Sequence, residues 1–339
     1  MRVVFRVDGN ETMGIGHFMR CFAFAQLLKD ENIQVDFLTT TNVEYLLDML
    51  KAEYINIERF KVENMQDDIK LTINYLISSD DIGLIILDGY HFDTNYHKAL
   101  RKIGLKVLCI DDLAQMHFEC DYVLNQNLGS LNLNYSIGHS TKLLLGPKYW
   151  LWRREFRQIN NEDALFQVSP KINKIFLTLG GGDITSQLRT VINYLGDLDL
   201  PIHIHFKILI GYSDQNILSR LITEFPFKIE LIPHSNDVSK LIQWSDLVIT
   251  GAGTTLYEVL YLRRPLLICA LIDNQIPSAN EAFNLQMSLP LNINSFDSFS
   301  ETFNFIFENH VARKEMVKNQ KKFFTNVGIT KNRFYEFFN

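Results

Sequence analysis

Short, nearly continuous apolar runs punctuate the first half of the chain at 3–7, 34–38, 84–87, 106–110, 122–125 and 143–146. Between the early ones lie stretches, 19–29 and 67–76, whose apolar residues return at helical spacing. A run that is apolar at every position suits a strand buried on both faces. Alternation of such strands with helices predicts a parallel α/β sheet covered on both sides. A second series follows at 174–179, 204–210, 228–232, 246–250 and 266–270, with helices predicted near 186–194 and 254–262. Between the two series, 153–172 is polar and charged and closes on Pro170, which reads as a linker. The pattern predicts two Rossmann-like domains, 1–152 and 173–339. Ligands in such sheets bind outside the carboxyl ends of the strands, so a shared site is expected where the two domains face across a cleft. The final helical stretch, 311–338, carries Phe323, Phe324, Phe334, Phe337 and Phe338, suited to packing on a domain surface or back on the N-terminal domain.

A chain of 339 residues has room for two cores, at about 100–200 residues per domain. With 47% hydrophobic and 21% charged residues the chain is a folded one rather than disordered. The formal charge is −6 and no long basic run is present. Sequence-independent nucleic-acid binding needs Lys and Arg clustered along a face, so no nucleic-acid partner is expected. No apolar run approaches the length of a membrane span, and Met1 leads straight into the first strand. Neither stable membrane insertion nor a signal peptide is therefore expected. Cys21, Cys109, Cys120 and Cys269 are scattered without a CxxC pair, which predicts buried free thiols in a reducing cytoplasm.

Candidate chemistry begins at the first strand's end, where Asp8 is followed by Gly14-Ile15-Gly16-His17 and then Arg20. Glycines let the chain turn tightly and bring backbone N–H groups close to a ligand. A helix N-terminus there favours anions and disfavours a charged imidazole, so His17 is expected neutral and able to accept a proton. Asp8 either orients His17 or finishes the strand. Arg20, one turn on from His17, either meets substrate or forms a salt bridge. A second glycine turn, Gly180-Gly181-Gly182-Asp183, could cradle a diphosphate, with Asp183 as N-cap of the next helix as the plainer reading. A third, Gly251-Ala252-Gly253-Thr254-Thr255, makes a phosphate seat, and Glu258 either accepts from a ribose diol or closes a capping box with Thr255. Asn274 and Gln275 suit sugar hydroxyl or acetamido groups, and Arg153 beside Arg154 could reach a ligand. His203 and His205 read as one face of an edge strand. Asp111-Asp112 reads as a turn cap or, less simply, a cation pair.

In order along the chain, Arg6, Asp8, Gly14, Gly16, His17, Arg20, Asp88, Asp111-Asp112, Asp121, Asn125, Leu145 to Tyr149, Arg153, Glu155-Phe156, Gly180-Gly181, Asp183, Gly251, Thr254, Glu258, Pro265 and Asn274-Gln275 resemble the pattern of the pseudaminic-acid-pathway UDP-sugar hydrolases. That family acts on UDP-2,4-diacetamido-2,4,6-trideoxy-β-L-altropyranose and is related to the glycosyltransferase-B group. The match runs to about residue 290. Departures are Trp150, Trp152, Gly182 and the stretch around Val327-Gly328. The resemblance implies UDP held mainly by the second domain, at Gly180, Gly181, Gly251, Gly253, Thr254, Thr255 and Glu258. It implies a sugar met by Asp8, Gly14, Gly16, Arg20, Arg153, Asn274 and Gln275. His17 would then activate water against the anomeric carbon, breaking the C1–O bond with inversion and without metal or cofactor. Two other classes share these features. One is a glycosyltransferase with a lipid-linked acceptor, for which the apolar Phe18, Met19, Phe22 and Phe24 would serve as a docking patch. The other is a non-catalytic nucleotide-sugar-binding protein.

Overall fold

The computed structural model describes residues 1–10, 14–159, 167–235 and 237–327. The chain divides into two compact units, Met1–Arg154 and Glu155–Val327. The division falls inside the stretch predicted as a linker, of which 160–166 lie outside the described residues, as do Gly328, Phe334, Phe337 and Phe338.

In the first unit the elements are β1 (Arg2–Val7), α1 (Gly16–Asp30), β2 (Gln34–Thr39), α2 (Glu44–Ala52), β3 (Asn56–Arg59), α3 (Met65–Ser78) and β4 (Ile82–Asp88). They continue with α4 (Thr94–Arg101), β5 (Lys106–Ile110), β6 (His117–Phe118), β7 (Tyr122–Asn125), β8 (Ser136–Ile137) and β9 (Lys142–Leu145). Seven strands form one sheet in the order β3-β2-β1-β4-β5-β7-β9, and β6 pairs with β8 apart from it. All of the pairings are parallel. Alternation along β1 sends Val3, Phe5 and Val7 into one apolar layer and Val4 into the other. Phe18, Phe22 and Phe24 of α1 are buried in the first of these layers. Each such side chain contributes about 1.5–3 kcal/mol by leaving water. They are core residues, with Met19 partly buried against them, rather than the docking patch that a lipid-linked acceptor would call for.

Arg6 follows the parity of Val4 and lies fully buried in the second layer. Its guanidinium meets Asp68 through Nε at 3.0 Å and Nη2 at 2.5 Å, and Asp8 through Nη1 at 2.6 Å. It lies over the Phe92 ring at 5.3 Å and the Phe60 ring at 6.0 Å. A charge this deep persists only when paired and hydrogen-bonded on several sides.

The second unit carries α5 (Arg154–Arg157) at its boundary, then β10 (Lys174–Thr178), α6 (Thr185–Gly196), β11 (His205–Leu209), α7 (Gln215–Ile222), β12 (Lys228–Ile232), α8 (Val238–Trp244) and β13 (Leu247–Gly251). It ends with α9 (Thr254–Tyr261), β14 (Leu266–Cys269), α10 (Ile276–Asn284), β15 (Leu289–Pro290), α11 (Phe296–Glu308) and α12 (His310–Val327). Its six-stranded parallel sheet runs β12-β11-β10-β13-β14-β15. The pair His203 and His205 is not as expected. His203 precedes the strand and meets Asn173 at 3.0 Å, and β11 is an interior strand, with β12 at the edge.

Helix α12 is tied to its own unit by side chains that reach main-chain carbonyls. Arg313 donates to the carbonyls of Ile306, Phe307, Ser169 and Pro170, and Gln320 donates to those of Arg264 and Met287. Phe324 meets the Tyr261 ring edge-on.

Candidate functional site

In both sheets the order of strands reverses between two central strands, and ligands in such folds bind at that switch point, outside the carboxyl ends of the strands. In the first unit the reversal lies between β1 and β4. The loop after β1 leads through Gly14, at φ +78°, into α1. A Cβ at Gly16 would meet nothing within 4 Å, so packing does not demand a glycine there. The cap position before α1 is Ile15, and among the described residues no side chain caps the helix. Uncapped first-turn N–H groups are the usual anion donors of a helix.

His17 is buried beside this helix start, and its Nδ1 lies 2.6 Å from Oδ1 of Asp88 at the end of β4. Two unprotonated acceptors do not approach so closely, so Nδ1 carries the proton and donates it to Asp88. Among the described residues no hydrogen bond reaches Nε2. The ring nitrogen that can accept a proton is therefore Nε2. Tyr90 packs edge-on to the imidazole at 4.7 Å. This is the geometry of a base aimed by a third group.

Arg20 takes the salt-bridge alternative. It grips Asp88 with Nε at 2.6 Å and Nη2 at 2.7 Å, and its Nη1 meets Asp112 at 2.6 Å. With both carboxylates engaged, the buried guanidinium is a strut rather than a substrate ligand. Burial pushes the Asp88 carboxyl up, but the Arg20 charge and the hydrogen bonds from Arg20 and His17 outweigh it and hold the group at about 2. For Asp112, too, burial opposes ionisation, and Arg20 wins and keeps it below the ordinary range. The Cys21 thiol completes the shell around Asp88 at 3.4 Å.

Asp8 does not orient His17. Its Oδ1 accepts from Arg6, from the Thr39 hydroxyl at 3.2 Å and from the Thr40 amide at 2.7 Å, which ties β1 to the turn after β2. The turn-cap reading of Asp111 holds, since Oδ2 accepts from the amides of Leu113 and Ala114 and from the Tyr135 hydroxyl. Asp112 turns the other way, toward Arg20, so the pair does not converge. Among the described residues no group of three or more His, Cys, Asp or Glu side chains could hold a metal ion. Arg153 is half-buried at the end of this unit. Arg154 is ion-paired with Glu53 and Asp30 rather than solvated.

In the second unit the reversal lies between β10 and β13, so the two glycine turns flank it. They differ in kind. Gly180, at φ +152°, has open space where a Cβ would stand, yet the Thr185 amide opening α6 is already taken by Asp183 Oδ1 at 3.1 Å. The cap position itself is Ile184, one residue later than expected. Gly251 is required by packing, because a Cβ there would lie 2.5 Å from the Leu179 carbonyl oxygen. Gly253 is the cap residue of α9, with no side-chain cap and open space in front of it. Thr254 and Thr255 therefore sit inside the helix, and Thr255 cannot close the capping box predicted with Glu258. The buried Glu258 lies one turn further along α9. Gln275 is also reassigned. Its Oε1 accepts from the Ala252 amide at 3.3 Å and the Leu271 amide at 3.1 Å, bracing the turn before α9. Asn274, half-buried, shares that short helical turn.

Asp88 is the residue that motif reading undervalued. The signal was present, since an aspartate closing a wholly apolar run stands at a strand's carboxyl end.

No protein-family model matches the chain. It is 23% identical over 283 residues to a UDP-2,4-diacetamido-2,4,6-trideoxy-β-L-altropyranose hydrolase of Campylobacter jejuni, covering 82% of this chain and 95% of that one. It is 24% identical over 274 residues to an uncharacterised protein of Methanocaldococcus jannaschii, covering 79% of this chain. The chain spans only about half of that archaeal relative's length (55%). Among solved structures, MurG of Acinetobacter baumannii superposes with a TM-score of 0.68 at 17% identity, covering 95% of each chain. No described helix is long and apolar enough to cross a membrane. In fold the chain is of the glycosyltransferase-B type, and in sequence it is distantly similar to a UDP-2,4-diacetamido-2,4,6-trideoxy-β-L-altropyranose hydrolase.

Proposed function

We propose that the chain hydrolyses a UDP-linked diacetamido-trideoxy hexose at the anomeric C1–O bond, releasing UDP and the free sugar with inversion. The observation that carries this reading is the 2.6 Å bond from His17 Nδ1 to Asp88, which leaves Nε2 as the proton acceptor. His17 takes a proton from water as the water oxygen bonds to C1, and the C1–O electron pair leaves with UDP. Asp88 holds the ring and stabilises the imidazolium that forms. General-base assistance supplies about 10²–10⁴-fold, so stabilisation of the departing diphosphate supplies much of the rest. The uncapped start of α9 at Gly253 to Thr255 is the better-suited diphosphate seat, with Glu258 toward the ribose and the Gly180–Gly181 turn alongside. Asn274 and Arg153 remain candidate sugar ligands. No metal or cofactor enters this scheme. Its setting would be nonulosonic acid synthesis in the cytoplasm.

The test is incubation with UDP-diacetamido-trideoxy hexoses and no acceptor, with UDP release and the anomer formed followed by NMR. Release with inversion in the protein, and its loss in His17→Asn with UDP still bound, is the expected result. Release only on addition of an acceptor would make the chain a transferase, and near-wild-type hydrolysis by His17→Asn would remove His17 as the base.

A further inference from the structure

His17 accepts its proton in a buried place, so the charge already around it decides how readily it does so. The groups facing it come from three elements. They are Arg20 and Cys21 on α1, Asp88 at the end of β4 with Tyr90 and His91 just beyond, and Asp112 after β5. His91 in turn lies 3.7 Å from Asp8, which is paired with Arg6 on β1. Asp88 and Arg20 alone form a neutral pair, and a protonated imidazole beside them would leave a buried positive charge uncompensated. Asp112 changes that count. It is nearly buried and touches Arg20 at 2.6 Å, it interacts with His17 by charge, and among the described residues no hydrogen bond joins the two. Two carboxylates around one guanidinium leave the cluster with one net negative charge. That charge is what an imidazolium needs.

We infer that Asp112 is a positioning residue of the reaction, supplying through Arg20 the negative charge that lets His17 take up a proton. This inference rests on the reading of His17 as the base. It goes beyond that reading by assigning a role to a side chain that touches neither His17 nor the reacting atoms. Its three hydrogen bonds make a clean separation of charge from shape possible. Oδ1 accepts from Arg20 and from Asn127 Nδ2 at 2.7 Å, and Oδ2 accepts from the Tyr90 hydroxyl at 3.2 Å. In Asp112→Asn the amide oxygen can keep the first two bonds, and the amide nitrogen can donate to the Tyr90 oxygen, so that only the charge is lost.

The experiment compares the unsubstituted protein with Asp112→Asn in two readouts. One is the pH–rate profile of UDP release. The other is the pH dependence of the His17 imidazole ¹⁵N signals in the ligand-free protein, assigned by their loss in His17→Asn. The expected result is a kcat lowered at least tenfold with little change in KM. The acid limb of the profile and the ¹⁵N transition should both move to lower pH by about one unit, the size expected for loss of one nearby opposite charge. A purely structural Asp112 predicts the opposite, with Asp112→Asn behaving as the unsubstituted protein and only Asp112→Ala impaired. That outcome overturns the inference, as does a fall in kcat with an unmoved ¹⁵N transition. Should Asp112→Asn fail to fold, Arg20→Lys tests the same link, because a single ammonium cannot span both carboxylates and the transition should again move. If the unsubstituted protein releases no UDP but the ¹⁵N transition moves, the hydrolase reading fails and the electrostatic role stands.

Discussion

The carboxyl edges of the two sheets invite direct comparison, because in both the strand order reverses between two central strands and both carry a glycine turn leading into a helix there. At the first, side chains dominate. His17, Asp88, Arg20 and Asp112 form a buried chain of charged contacts between 2.6 and 2.7 Å beside the uncapped start of α1. At the second, main chain dominates. The turn before α9 offers amide groups, glycines and open space, and its nearby side chains, Gln275 among them, brace the loop. On the proposed reading one edge moves a proton and the other seats an anion. The same topology thus hosts two kinds of chemistry, set by a few residues at the strand ends.

The comparison predicts separable losses. The largest effect is expected for Asp88→Asn, which should lower kcat by about 10²–10⁴-fold by releasing the ring from its Nδ1-protonated form, while calorimetric UDP affinity stays within about twofold. An equal loss of UDP affinity would merge the two edges into one function. In the second unit the two glycines should part company. Gly251→Ala, whose Cβ would press on the Leu179 carbonyl, should cost about 1–3 kcal/mol of stability. Gly253→Ala should leave the melting temperature nearly unchanged and weaken UDP binding about tenfold, because the methyl group stands where an anion would approach. Melting curves beside UDP titrations decide between these roles.

Acid should act on the first unit through several groups, of which two are shifted far from their ordinary values. Burial holds His97 neutral in the fold, down at about 4 against an ordinary 6.5. The unfolded chain therefore binds the extra proton first, and stability present above about pH 6.5 drains away as pH falls toward 4. Asp88, despite burial, is held by Arg20 and His17 at about 2 against an ordinary 3.8. Its contribution is complete above about pH 4 and is lost as pH falls through 2. Thermal melts from pH 7 to 4 should flatten in His97→Gln, and a melt as steep as that of the unsubstituted protein would remove His97 as the cause. The smallest expected effect is none at all: UDP release should survive exhaustive EDTA treatment. Loss restored by Mg²⁺ or Mn²⁺, and lost again in Asp111→Asn, would mean that a cation shares the diphosphate seat.

The strands were legible because parallel strands buried on both faces read as unbroken apolar runs. β5, β7 and β12 have the bounds predicted for them. β3 was not legible, because it is a polar edge strand with little to bury. At the site, glycine placement and His17 could be read, since turns and helix starts are local. The partners of His17 could not. Asp8 is close in sequence and Asp88 is 71 residues away, and only the pairing of β1 with β4 decides which one reaches the ring. Arg20 shows the same limit, because local spacing places it on the face of His17 without revealing the two carboxylates that engage it. Gly251 and Gly253 look alike in sequence, and a carbonyl from β10's exit loop makes one structural and leaves the other open.

Helix α12 has a consequence for how the molecule is made. Its Arg313 donates to carbonyls 143 and 144 residues earlier, at Pro170 and Ser169, and its Gln320 to carbonyls at Arg264 and Met287. On a ribosome those acceptors emerge long before their donors. The first unit, whose sheet is complete by Leu145, can fold while synthesis continues. The second must wait with open carbonyls until its last helix is translated. Nascent chains stalled before residue 310 should therefore hold a folded first unit and an unfinished second one, so the order of synthesis separates the completion of the two sheets in time.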